Sequence, residues 1–288
     1  MTYYFDRRRR ELVMEHAYQA DLLARLYSPG IASFLLPIIK SRLFSKLWTW
    51  KDYLPSSRKK IQHFIQKYQL QPEEFTEQDF AHFAAFFERS YLPSSRPRCL
   101  EPEIMAVTDG KLLVYPLESQ MTIEVKGRTY ALAELFPQQT DWSLYHGGYL
   151  FLYRLAMEDN HHYLFAESGP MSDQSDIPGS LHTIRDLGHR HSPVFIENQR
   201  SVCKIHQSKL GPIWQMEIGA LTVGRIINHP RDLAQRGQEK GYFKLGGSSI
   251  IVLYPASSLK IDADILEWSQ QGIETQVRMG ERIGIIDD

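Results

Sequence analysis

Cysteine is scarce: only Cys99 and Cys203 occur in the 288 residues, too few for a disulfide framework or a thiolate metal cluster and in keeping with a reducing compartment. Long apolar runs are also missing. IASFLLPII at 31–39 is broken by Pro37 and falls far short of the ~20 residues a spanning helix needs. The opening MTYYFDRRRR is charged but leads into no apolar h-region, so no secretory signal is expected. Repeats and low-complexity tracts do not occur. GxSxG, GxxxxGK[ST], HExxH and paired CxxC are all absent, so the common hydrolase, phosphate-loop and zinc chemistries have no direct signature. The pairs His161-His162 and His189-Arg190-His191 are joined by no ligand series, and they read as surface or supporting histidines rather than as a metal site.

What is present is a globular composition with uneven charge. At 43% hydrophobic and 12% aromatic, the chain can bury a sizeable core and is long enough for one large domain with an appendage. The formal net charge is −1, yet residues 1–67 carry 13 Lys and Arg against 5 Asp and Glu, while the rest carry 20 against 29. This basic front reads as helical. AYQADLLARLY at 17–27 has helical apolar spacing, and SRLFSKLWTWKDYL at 41–54 interleaves Leu, Phe and Trp with Lys and Arg. A solvated face on a packed helix explains such a pattern, and so does docking on an anionic bilayer, where rings sit at headgroup depth. No nucleic-acid-binding motif accompanies the cations. TEQDFAHFAAFFERS predicts a further helix through a capping box at Thr76 and Asp79, and LPSSRPR at 92–98 breaks the pattern. The division is drawn there: a helical, basic and aromatic region over 1–95, then a β-rich domain over 96–288, whose short runs such as KLLVYPL, GYLFLYRLAM and SIIVLYP are separated by turn residues. The expected class is α+β.

KLGGSSIIVLY at 244–254 admits two readings, a turn feeding a buried strand or a backbone built to react. An ordered series of short motifs weighs on the second. It runs Phe86-Phe87-Glu88-Arg89 with Arg96-Pro97, Thr108-Asp109-Gly110, Tyr153-Arg154-Leu155 with Asp159-Asn160-His161-His162, and Pro178-Gly179-Ser180-Leu181. It continues through Phe195-Ile196-Glu197-Asn198-Gln199-Arg200, Glu217-Ile218-Gly219-Ala220 with Val223-Gly224, and Glu239-Lys240-Gly241-Tyr242-Phe243, to Gly246-Gly247-Ser248-Ser249 and Arg278-Met279-Gly280-Glu281. Each is weak alone; together and in order they resemble the phosphatidylserine decarboxylase family over nearly the whole chain.

The resemblance implies a membrane-associated decarboxylase that makes phosphatidylethanolamine from phosphatidylserine with a covalent pyruvoyl group and without metal or pyridoxal phosphate. Loss of CO2 leaves a carbanion that needs an electron sink, and a pyruvoyl group provides one through a Schiff base to the substrate amine. In the family the group comes from the serine of the GS[ST] motif, here Ser248, with scission between Gly247 and Ser248; the paired glycines keep the backbone adaptable and the carbonyl approachable. A serine hydroxyl needs a base, and a base needs orienting. The resemblance assigns Asp109 as the aspartate and His161 to the decarboxylation step.

The family's second histidine, linked to self-cleavage, falls on Leu164. Leucine cannot move a proton. His162 is the nearest substitute, since positions 162 and 164 share a face on a strand, and His182 is another. The leading expectation is a working decarboxylase with a repositioned base, bound peripherally to an anionic membrane on the cytoplasmic face of a cell membrane and homodimeric as family members imply. An uncleaved lipid-binding relative and a pyruvoyl decarboxylase of a soluble amino acid are the alternatives.

Overall fold

The computed structural model describes residues 3–15, 27, 37–137, 140–221, 225–245, 248–256 and 259–287. A ten-stranded sheet organises them. Its order is β13 (Leu233–Ala234), β9 (Gly169–Ile177), β10 (Arg200–Gln207), β11 (Gly211–Gly219), β15 (Ser248–Tyr254), β7 (Tyr149–Leu155), β4 (Gly110–Pro116), β17 (Glu274–Val277), β1 (Tyr3–Asp6) and β2 (Glu11–Met14). Pairing is antiparallel except between β1 and β17. Smaller sheets join β12 (Arg225–Asn228), β14 (Glu239–Lys244) and β8 (His162–Leu164), then β16 (Leu259–Ile261), β18 (Arg282–Ile286) and β3 (Glu103–Met105), and finally β5 (Thr122–Val125) with β6 (Arg128–Ala131).

The apolar run of β15 places it at the centre of the large sheet, buried throughout. Alternation sends its side chains to opposite faces. Ile250 and Val252 join a core with Leu112, Phe151 and Ile265. Ile251 and Leu253 join a second core with Leu150, Trp214 and Met216. Helix α4 (Ala263–Gln270) covers the first of these through Ile265.

The front of the chain is less helical than its pattern predicts. Residues 3–14 form the β1–β2 hairpin on the edge of the main sheet, turned by Asp6, whose Oδ1 accepts from the backbone N–H groups of Arg8 and Arg9 at 2.9 and 3.2 Å. The predicted helix at 17–27 lies outside the described residues apart from Tyr27. Helix α1 (Arg42–Thr49) is present, capped by Ser41; α2 (Lys59–Tyr68) follows, ended by Gln69 in the left-handed conformation. The capping box at Thr76 starts no helix, because Thr76 Oγ1 donates to Ser90 O and Asp79 pairs with Arg58. Helix α3 (Phe83–Phe87) begins instead at His82, whose Nδ1 accepts from Ala85 N at 3.0 Å. Ile61, Phe64, Phe75 and the phenylalanines of α3 pack with Leu245, so the helical part docks on the segment leading to Ser248.

Candidate functional site

Ser248 opens β15 between Leu155 of β7 and Gly219 of β11. Its hydroxyl is fully buried and has no hydrogen-bond partner among the described residues. A buried, unsatisfied hydroxyl costs stability, and such groups mark places where chemistry rather than packing sets the residue. Gly246 and Gly247, and with them the predicted scissile bond, lie outside the described residues.

Asp109 sits before Gly110, where a Cβ would stand 2.9 Å from the Arg154 carbonyl, so glycine is required for the chain to enter β4. Its carboxylate pairs with no histidine among the described residues. Oδ1 and Oδ2 accept from Arg96 Nε and Nη2 at 3.1 and 2.8 Å, and Oδ1 also accepts from Met279 N at 2.8 Å. Arg96 bonds Glu74 as well, at 2.8 Å. Burial opposes its charge, but Asp109 and Glu74 together hold the guanidinium above its ordinary value. Asp109 and Arg96 line a polar cavity of about 540 Å³ that includes neither Ser248 nor His161.

His161 is buried against Phe87, with ring centroids 4.1 Å apart. Its Nδ1 lies 3.0 Å from the Asp159 carbonyl, which can only accept, so Nδ1 carries the proton and Nε2 is the basic nitrogen. The His161 carbonyl accepts from Phe243 N at 3.0 Å, tying it to the strand that leads toward Ser248.

His162 stands apart from this group. Its Nε2 is 3.1 Å from Glu88 O, its Nδ1 is 3.1 Å from Glu239 Oε2, and its ring stacks on Tyr242. Nε2 also lies 3.4 Å from Ser90 Oγ, so the ring is held among Glu88, Ser90 and Glu239, and none of these contacts is to Ser248. Leu164 makes backbone bonds to Val107 O and from Gln215 Nε2 at 2.8 and 3.0 Å.

His182 was only a reserve candidate in the sequence, and the fold brings it close. Asn198 holds its backbone at both groups, accepting from His182 N at 2.8 Å and donating to His182 O at 2.9 Å, while also donating to Gly219 O at 2.8 Å. Gly219 is the β11 partner of Ser248. Nε2 of His182 is 2.9 Å from Glu197 Oε2, and its buried Nδ1 has no partner among the described residues. With a carboxylate at Nε2, the proton resides there and Nδ1 is the basic atom. Burial lowers the pKa of His182, against the opposing pull of Glu197, and keeps the ring neutral. The other histidine pair is structural: His189 is buried, with Nδ1 2.7 Å from Tyr130 Oη, and burial pushes it down to about 3. Among the described residues, no three His, Cys, Asp or Glu side chains converge to hold a metal.

Beside Ser248 runs a cavity of about 110 Å³, walled by its strand partner Leu155, by Leu221 and Leu245, by Trp48 of α1, and by Arg154 and Arg185. Nothing in the sequence pattern singled out Arg185. Its side chain has no hydrogen-bond or ion-pair partner among the described residues, a property of the fold and not of the sequence pattern.

The fold and site define a β-rich α+β protein with a buried, unsatisfied serine on the central strand of its main sheet. Residues 83–285 match the family described as phosphatidylserine decarboxylase. The chain is similar to phosphatidylserine decarboxylase proenzyme 2 of Clostridium acetobutylicum, 34% identical over 286 residues that cover 99% of this chain and 98% of the relative. It is likewise similar to the phosphatidylserine decarboxylase proenzymes of Desulfitobacterium hafniense (33% over 295 residues, 99% and 98% covered) and Clostridium novyi (34% over 288 residues, 97% and 98% covered). The chain belongs to the phosphatidylserine decarboxylase family.

Proposed function

We propose that this chain, a carboxy-lyase converting phosphatidylserine to phosphatidylethanolamine and CO2, makes its own pyruvoyl group from Ser248. The observation that carries the assignment is the fully buried Ser248 hydroxyl, without a hydrogen-bond partner among the described residues and following two glycines in the sequence. Ser248 Oγ adds to the Gly247 carbonyl as a base takes its proton, and the amide nitrogen leaves carrying a proton, which turns the peptide bond into an ester. Loss of the Ser248 Cα proton expels the Gly247 carboxylate and leaves dehydroalanine. Water then replaces its nitrogen, which departs as ammonia. The resulting pyruvoyl group supplies an electron sink for the carbanion left by decarboxylation.

His161, which donates from Nδ1 to the Asp159 carbonyl, is assigned to the proton that replaces CO2, with Phe87 packed against its ring. Asp109 acts through Arg96 and the Met279 backbone, positioning the 106–110 segment, whose Thr108 Oγ1 donates to His162 O at 3.0 Å. His162 positions rather than reacts. The base of self-cleavage is assigned to His182, which Glu197 orients as a carboxylate orients the histidine of a serine triad.

The protein docks peripherally on an anionic membrane through α1 and the turn after it. No helix among the described residues is long and apolar enough to cross one. Leu164 favours a second reading, an uncleaved lipid-binding protein, because it removes the family's cleavage histidine.

Intact mass separates the two. The natural chain is expected as two pieces, one ending at Gly247 and one beginning with a pyruvoyl group, and Ser248→Ala as a single folded chain without activity. A natural chain of undivided mass would favour the second reading.

A further inference from the structure

Four cations line the cavity beside Ser248, and three are already satisfied. Arg154 donates to Glu15 at 2.8 Å and to Glu274 at 2.7 Å. Lys60 pairs with Asp52, and Lys51 lies 5.1 Å from the centre of the Trp48 ring. The Arg185 guanidinium, partly buried, has no hydrogen-bond or ion-pair partner among the described residues. Burial pulls its pKa below the ordinary value, and the nearby Arg154 charge adds to that pull against Glu15. A desolvated cation without a counter-ion is costly and is stabilised by whatever anion enters.

We infer that Arg185 is the anchor for the phosphodiester of the phospholipid headgroup, a reading that rests on the decarboxylase assignment above. Phosphatidylserine offers two anions, a phosphodiester and a carboxylate. The carboxylate loses its charge as CO2 departs, so a cation paired with it would hold the ground state more tightly than the transition state and slow the reaction. The phosphodiester keeps its charge throughout. Its oxygens match the planar fork of a guanidinium, which binds them in pairs. The walls agree with this placement: Trp48, Leu221 and Leu245 line the same cavity and suit the glycerol and the first acyl carbons. Trp48 belongs to α1, the proposed docking helix, and Leu155 is the strand partner of Ser248, so the cavity wall includes residues of the membrane-facing element and of the strand beside the serine.

The test uses the full chain with Arg185→Gln and Arg185→Lys. In detergent micelles containing phosphatidylserine, Arg185→Gln is expected to raise KM roughly 10- to 100-fold and leave kcat within about twofold, with Arg185→Lys between it and the natural chain. Because the product keeps the phosphodiester, the inhibition constant of phosphatidylethanolamine should rise in parallel. Calorimetric titration of Ser248→Ala with dihexanoyl phosphatidylserine should show the same loss when Arg185→Gln is added, independently of any pyruvoyl group. Intact mass should show self-cleavage undisturbed by Arg185→Gln. An unchanged KM, a fall in kcat at constant KM, or a KM increase without weaker phosphatidylethanolamine inhibition would each overturn the inference. A natural chain that is cleaved and active, with Arg185→Gln indistinguishable from it, overturns this inference alone. A natural chain that neither cleaves nor releases CO2 overturns the decarboxylase assignment beneath it.

Discussion

A single substitution separates two routes to a proton acceptor. Leu164 falls where the family resemblance expects the cleavage histidine, and the residue sharing its strand face, His162, is held between Glu88 O and Glu239. The sequence made His162 the nearest substitute because alternation along a strand is a local property. It could not show that both ring nitrogens were already engaged, since Glu88 and Glu239 are 74 and 77 positions away. His182 is legible only through long-range contacts: Asn198 and Glu197 reach it from across a loop, and Asn198 in turn donates to Gly219 of β11. His182→Ala should therefore slow scission by roughly 10²- to 10⁴-fold, the usual contribution of a general base, and His162→Ala should leave it nearly intact. Adding Leu164→His to His182→Ala should restore scission, which also shows that the single variant folds. Intact mass after matched incubation reads all three. Full scission in His182→Ala, or a block in His162→Ala, would return the base to His162.

At the scale of the element, α1 shows what periodicity leaves undecided. SRLFSKLW has the spacing of an amphipathic helix, and a helix forms, but its polar side faces inward. Ser45 and Thr49 are buried, whereas Leu43 and Leu47 are 66% and 60% exposed, followed by Trp50 at 57% in the next turn. Thr49 Oγ1 donates to Ser45 O at 2.8 Å, which lets the Thr49 hydroxyl sit inside. Helical spacing identifies two faces and says nothing about which one meets protein. An apolar, outward stripe beside Lys46 and Lys51 suits the interface of an anionic bilayer. Each exposed side chain that enters the interface contributes roughly 1.5–3 kcal/mol at full burial. Leu47→Ser and Trp50→Ser should each weaken binding to phosphatidylserine vesicles by about tenfold, and higher salt should weaken it further in both the natural and altered chains. Thr49→Val, which changes the inward face, should not weaken it. Vesicle sedimentation would refute the docking role if the outward substitutions bound as well as the natural chain.

For the whole molecule, the proposed cut falls where the pieces cannot part. Residues 248–288 carry β15, β16, α4, β17 and β18, so scission removes a covalent link at the centre of the main sheet while leaving every strand pairing in place. That β15 would be a buried strand was legible from its continuous apolar run. Its neighbours β7 and β11 were not, because strand order is set by which faces can be buried together across the chain. The far edge adds a second hold that the charged opening of the sequence did not foretell. β1 pairs with β17, Phe5 stacks on Trp268 at 4.9 Å, and Arg7 reaches Asp264 and Glu281 at 2.7 and 3.0 Å. The larger piece therefore grips the smaller one at the edge of the sheet through residues 4–7 and at its centre through β7 and β11. Ile250, Ile251, Val252 and Leu253 are at most 1% exposed, and four such side chains contribute on the order of 6–12 kcal/mol against release. After self-cleavage the two pieces should elute together on size exclusion in native buffer and separate only in denaturant. Arg7→Ala should leave them together, because the β15 pairings alone suffice. Loss of the small piece in native buffer would mean that β15 is not held as the sheet describes, and that the serine end it carries is free to leave the cavity beside it.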